Sequence, residues 1–104
     1  MSNQKRVFIG MAHVLANPLT GDVLNGAKGA YVNILGFFVD EAEFIAEAMN
    51  VLDTIGLNMV DIEDVEPFSA RLDKYEVDEK LLDLAKQVAD MHQVMFDSFH
   101  TYPY

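Results

Sequence analysis

Apolar positions along the chain fall into runs of two different periods. Residues 6 to 15, Arg-Val-Phe-Ile-Gly-Met-Ala-His-Val-Leu, are dense in β-branched and aromatic types, which predicts a strand buried over much of its length. Asn17-Pro18-Leu19-Thr20-Gly21-Asp22 interrupts that run, and Asn25-Gly26 and Lys28-Gly29 prolong the break. The stretch 16 to 28 is long for a hairpin connection, so it reads as a functional loop or as a loop holding a short strand at Val23-Leu24. Residues 30 to 38, Ala-Tyr-Val-Asn-Ile-Leu-Gly-Phe-Phe, predict a second strand.

The period then lengthens to that of a helix. Asp40 is a good N-cap, Glu43 completes a capping box, and Val39 with Phe44 has the spacing of a hydrophobic staple. Ile45, Ala48, Leu52 and Ile55 form the expected buried stripe, Glu43, Glu47, Asn50 and Thr54 a polar row, and Gly56 the stop. Residues 57 to 63 resume strand character, with Val60 and Ile62 on one side and Asp61 and Glu63 on the other. Pro67 ends that run, and residues 68 to 77 read as a linker or irregular turn. A second helix is expected from near Asp78 to near His92, with Leu81, Leu84, Ala85, Val88 and Met91 as its apolar face. The aromatic tail from Gln93 to Tyr104 reads as a final strand.

The order β-β-α-β-α-β predicts an α+β fold. It is a two-layer sandwich of a mixed or antiparallel sheet, with two helices on one face and the other face open to solvent or a partner. At 104 residues the chain makes one such domain, long enough to bury its own core. No apolar run is long enough to span a membrane. Lys5-Arg6 followed by Val7 to Ala16 imitates a secretory signal, but His13 and Gly10 interrupt the apolar run, and cytoplasmic residence is the expectation.

Charge changes the picture most. The formal net charge is −10, which disfavours direct contact with nucleic acid or an anionic membrane. It is unevenly spread: residues 1 to 39 carry +2, whereas residues 40 to 79 hold 13 acids against Arg71 and Lys74, a net −11. From Gly29 through Ala70 there are nine carboxylates and no Lys or Arg. Such a single-sign stretch serves solubility, and it also suits rapid capture of a basic protein. In size, charge and expected architecture the chain resembles bacterial immunity proteins and nuclease inhibitors, with no shared motif. That resemblance implies a non-enzymatic protein that neutralises a basic toxin or nuclease domain. Its expected anchors are Glu43, Glu47, Asp61, Glu63, Asp64 and Glu66, with Tyr31, Tyr75 and the tail aromatics for apolar contact.

Catalytic signals are sparse. Without cysteine there is no disulfide, thiol nucleophile or Cys-ligated zinc. His13, His92 and His100 have no zinc-motif spacing, and the serines and glycines form no nucleophile elbow or phosphate loop. Asp61-x-Glu63 puts two carboxylates on one side of a strand, about 7 Å apart at two strand rises. That pair, with a histidine, supports an alternative reading as a small enzyme or a ligand- or metal-binding domain. A structural homodimer through the open face or the aromatic tail is a third. No cofactor is expected.

Overall fold

The computed structural model describes residues 4–16, 24 and 26–102. The elements are β1 (Arg6–Ala16), β2 (Gly29–Phe38), α1 (Glu41–Thr54), β3 (Leu57–Pro67), α2 (Phe68–Lys74), α3 (Glu79–Met91), β4 (Met95–Phe96) and β5 (His100–Tyr102). The possible strand at Val23-Leu24 and most of the 16 to 28 loop lie outside the described residues.

All strand pairings are antiparallel. The sheet order is β3-β1-β2-β4, with β5 on the same edge of β2 as β4. The fold is therefore the expected α+β class, with the final strand divided into two short pieces. Neighbouring residues Phe8 and Ile9, and likewise Ile34 and Leu35, are all buried. Because successive strand side chains alternate in direction, this requires apolar cover on both faces. One buried cluster joins Phe8, Ala12, Val14, Val32 and Ile34 to Phe44, Ala48 and Leu52 of α1. The other joins Ile9 and Leu35 to Phe68 of α2 and to Leu81, Ala85 and Val88 of α3. The two helices expected over one face are thus divided between the two. The α2–α3 pair covers only the end of its face around Ile9 and Leu35, and among the described residues no helix covers the rest of that face.

The helix boundaries follow local chemistry. Asp40 Oδ1 accepts from the Glu43 amide at 2.8 Å, and Asp78 Oδ1 accepts from the Leu81 amide at 2.9 Å. Gly56, at φ +88°, closes α1, and His92 takes the left-handed conformation at the end of α3. The buried stripe of α1 is Phe44, Ala48 and Leu52, with Phe44 stacked on Phe8 at 5.9 Å. Ile55 drops out of the stripe because it is the C-cap, and Met91, in the last turn of α3, is exposed.

Two corrections concern residues 57 to 77. The segment read as a linker contains α2, which starts directly after Pro67, where a missing N–H is tolerated. Strand β3 also contains two irregularities against β1. His13 pairs with Asp61 but Val14 with Met59, so Val60 is an extra residue; it is 55% exposed rather than on the core side with Ile62. Gly10 likewise faces two residues, Asp64 and Val65, and Asp64 adopts φ +54°. Each bulge resets the inside-outside alternation.

The left-handed backbone at Asp64 yields a stability test. Asp64→Gly should unfold within about 0.5 kcal/mol of the parent in urea, whereas Asp64→Val should lose about 1–2 kcal/mol.

Candidate functional site

The open part of the α2–α3 face is built by residues that alternate with the core positions. His13 on β1 is in register with Asp61 on β3 and with Tyr31 on β2, and Tyr31 is in register with His100 on β5. One row across four strands therefore reads carboxylate, imidazole, phenol, imidazole. The next row toward the covered end holds Glu63, Met11 and Asn33.

The rings in this row are mutually fixed. His13 and Tyr31 stack with centroids 4.6 Å apart and planes 16° apart. Tyr102 tilts against both, at 5.6 Å and 5.9 Å, and its hydroxyl hydrogen-bonds His13 Nε2 at 2.5 Å. Gly29 makes room for that phenol: a Cβ there would lie 2.5 Å from the Tyr102 hydroxyl oxygen and 2.6 Å from the Val14 carbonyl oxygen. His13 and Tyr102 are half-buried, while Tyr31 keeps 45% of its surface exposed. The first and last strands do not pair with each other; β2 stands between them and carries Tyr31.

The six carboxylates expected as anchors are not gathered into one patch. Asp61 and Glu63 are exposed on the open face beside the rings. Glu47 lines a shallow groove with Phe38, Val51, His92, Gln93 and Val94, on the flank of α1 away from β3. The flank toward β3 carries Ala46, Met49, Asn50 and Asp53 instead. Glu43, one turn before Glu47, shares its flank. The helix packs on the opposite sheet face, so Glu43 and Glu47 are separated from Asp61 and Glu63 by the sheet itself. Asp64 is exposed in its bulge, where its carbonyl accepts from Arg71 Nη2 at 3.0 Å.

Glu66 is already committed within the chain. Arg71 Nε donates to its Oε2 at 2.5 Å, and Lys74 Nζ faces its Oε1 at 2.5 Å. These contacts tie β3 to α2, and the hydrogen bonds from Lys74 and Arg71 hold the Glu66 carboxyl below its ordinary pKa. Glu66, Arg71 and Lys74 also line a cleft of about 500 Å³ with Tyr75 and Leu81, so its two cations are engaged by an internal acid. At the other sheet edge Lys80 Nζ pairs with Asp97 at 2.8 Å and donates to Ser98 Oγ at 2.6 Å, latching α3 to the tail.

No group of three His, Asp or Glu side chains is placed to hold a metal ion among the described residues. Among them, too, no helix is long and apolar enough to cross a membrane. No protein-family model, curated protein or solved structure matches the chain. Sequence reading missed the ring cluster as a unit, although it noted Tyr31, His13, His100 and the tail separately. The alternation of the two strands was the available signal, since it puts His13 and Tyr31 on the same parity as Met11 and Asn33.

The Glu66 clamp predicts a pH dependence. A carboxyl whose folded pKa lies below its ordinary value of 4.5 stabilises the fold fully above that value, and the contribution is lost as pH falls through the lower folded value. Urea unfolding should therefore show Glu66→Gln less stable than the parent at neutral pH, with the gap narrowing as pH drops below 4.5.

Proposed function

We propose that the protein is a non-enzymatic binding protein that docks a basic protein partner on the open part of its sheet and neutralises it by covering it. The observation that carries this reading is the half-face left bare by α2 and α3, with Tyr31, His13 and Tyr102 at its centre and Asp61 and Glu63 at its side. Protein interfaces draw most of their energy from central aromatic anchors, while flanking charges set the rate of encounter. The net −11 of residues 40 to 79 supplies an attractive field for a cationic partner, including from α1 acids that do not touch the site. A toxin or nuclease domain in the same cytoplasm is the partner class we favour, with this chain as its immunity or inhibitor protein.

A second reading draws on the register of Asp61 with His13, which sets a carboxylate and an imidazole side by side on the open face. It makes that pair, with Glu63, a small-ligand site. Since no three such side chains are placed to hold a metal ion among the described residues, calorimetric titration with a small organic cation is the test: heat of binding lost in Asp61→Asn would support this reading.

The partner reading predicts a specific pattern. A basic protein captured from the native host should associate more slowly as salt rises. Changing Asp61→Asn and Glu63→Gln together should lower its association rate by about three- to tenfold, and Tyr31→Ala should speed its dissociation by about tenfold or more. The pair Glu43→Gln and Glu47→Gln, on the far flank, should have the smaller effect. Equal effects of the two acid pairs would refute the open face as the docking surface.

A further inference from the structure

Strand β3 is protected unevenly along its outer edge. It pairs with β1 on one side, and no described strand lies along the other. Both of its bulges, at Val60 and Asp64, and all of its charged side chains come after Met59. Leu57, Asn58 and Met59 are therefore a regular, uncharged stretch whose outward backbone groups lack the usual deterrents to strand pairing. A groove of about 380 Å³ lies against this same stretch, between it and the flank of α1 that carries Met49 and Asp53. Of its apolar lining, Leu57 is buried, Met59 half-buried and Met49 50% exposed. Methionine side chains adapt to varied apolar shapes and recur on surfaces that take up other chains.

Asp53 supplies the charge of the groove, from a place where it costs the helix stability. It is exposed in the last turn of α1, where the negative end of the helix dipole disfavours a carboxylate and no basic residue offsets it. The ion pairs among the described residues use Glu66 and Asp97 instead. An added strand fits both features at once. Side chains two positions apart on a strand share a side and stand about 7 Å from each other. Met49 and Asp53, one turn apart on α1, are separated by about 6 Å along the helix axis. We propose that the free edge of β3 at residues 57–59 takes up an extended segment of another protein by strand addition, with an apolar side chain seated between Met49 and Met59 and a basic side chain two positions away at Asp53. This site lies on the α1 side of the sheet and does not depend on the open half-face. A second copy pairing through the same edge fits poorly, because residues 29 to 70 would bring a second acidic α1 and no Lys or Arg to the groove.

The test uses the full chain and a labelled, β-prone nine-residue peptide with Leu and Lys two positions apart, read by fluorescence anisotropy at low salt. A peptide of the same composition with Leu and Lys adjacent, and so on opposite sides, measures general attraction to the acidic surface; it should bind about three- to tenfold more weakly. N-methylation of alternate amides blocks one edge of the peptide at a time. One methylated form should lose binding and the other keep it. Met49→Lys should weaken binding by about tenfold or more, and Asp53→Asn by about three- to tenfold. Asp53→Asn should also melt no lower than the parent, since it relieves the helix end. Changing Asp61→Asn and Glu63→Gln together, on the other sheet face, should matter less than Asp53→Asn alone. If circular dichroism shows that Met49→Lys fails to fold, Asp53→Asn and the methylated peptides carry the test. No binding at low salt, equal binding of the two peptide orders, or binding that survives both methylated forms overturns the proposal and leaves the open-face reading standing. A dimer of the free chain in sedimentation that Met49→Lys dissociates would overturn it in favour of self-association.

Discussion

Strand β1 is the constraint from which the rest of the molecule follows. It is bonded to β2 along one edge and to β3 along the other, and it is buried on both faces at Phe8 and Ile9. A strand in that position must be covered twice, so α1 is drawn to one face and α2 with α3 to the other. The cover is unequal. A helix pair that reaches only Ile9, Leu35 and their neighbours leaves Met11, His13, Tyr31 and Asn33 without helical cover among the described residues, the first two and Asn33 half-buried and Tyr31 exposed. The candidate site is the portion of a buried strand's second face over which the described residues place no helix.

How legible this was depended on whether a feature is local. The capping residues Asp40 and Asp78, the glycine stop at Gly56 and strands β1 and β2 are written in short windows, and they lie where those windows put them. Helix α2 was not legible. It buries a single residue, Phe68, so it has no apolar period to detect, and it is fastened instead by Arg71 and Lys74 to Glu66. The bulges at Val60 and Asp64 were equally hidden, because an extra residue is defined only against the partner strand. The acidic stretch illustrates the same limit for function. Its carboxylates are neighbours in sequence, yet a helix and an edge strand send them to opposite sides of the sheet. Charge density along a chain becomes a surface only when the topology is known.

The irregularities of β3 also serve the edge on which it lies. An exposed edge strand of this length offers free backbone donors and acceptors to any other strand, and bulges with charged side chains discourage that pairing. Some of the acid read as a recognition signal is therefore structural protection. Asp64 sits in a bulge and Glu66 clamps α2, which leaves Asp61 and Glu63 as the two carboxylates of β3 exposed on the same face as His13.

The seat that Gly29 provides for Tyr102 links residues 89 positions apart, through the bond from that phenol to His13. Contacts of such long sequence separation form late, because much of the chain must be ordered before they can close. During synthesis β1, β2, α1 and β3 are all made before residues 100 to 102 exist. A nascent chain can therefore hold a nearly complete sheet while His13 and Tyr31 still lack the ring that fixes them. The ring cluster on this face would thus come into being as one of the final acts of folding, well after the scaffold that displays it.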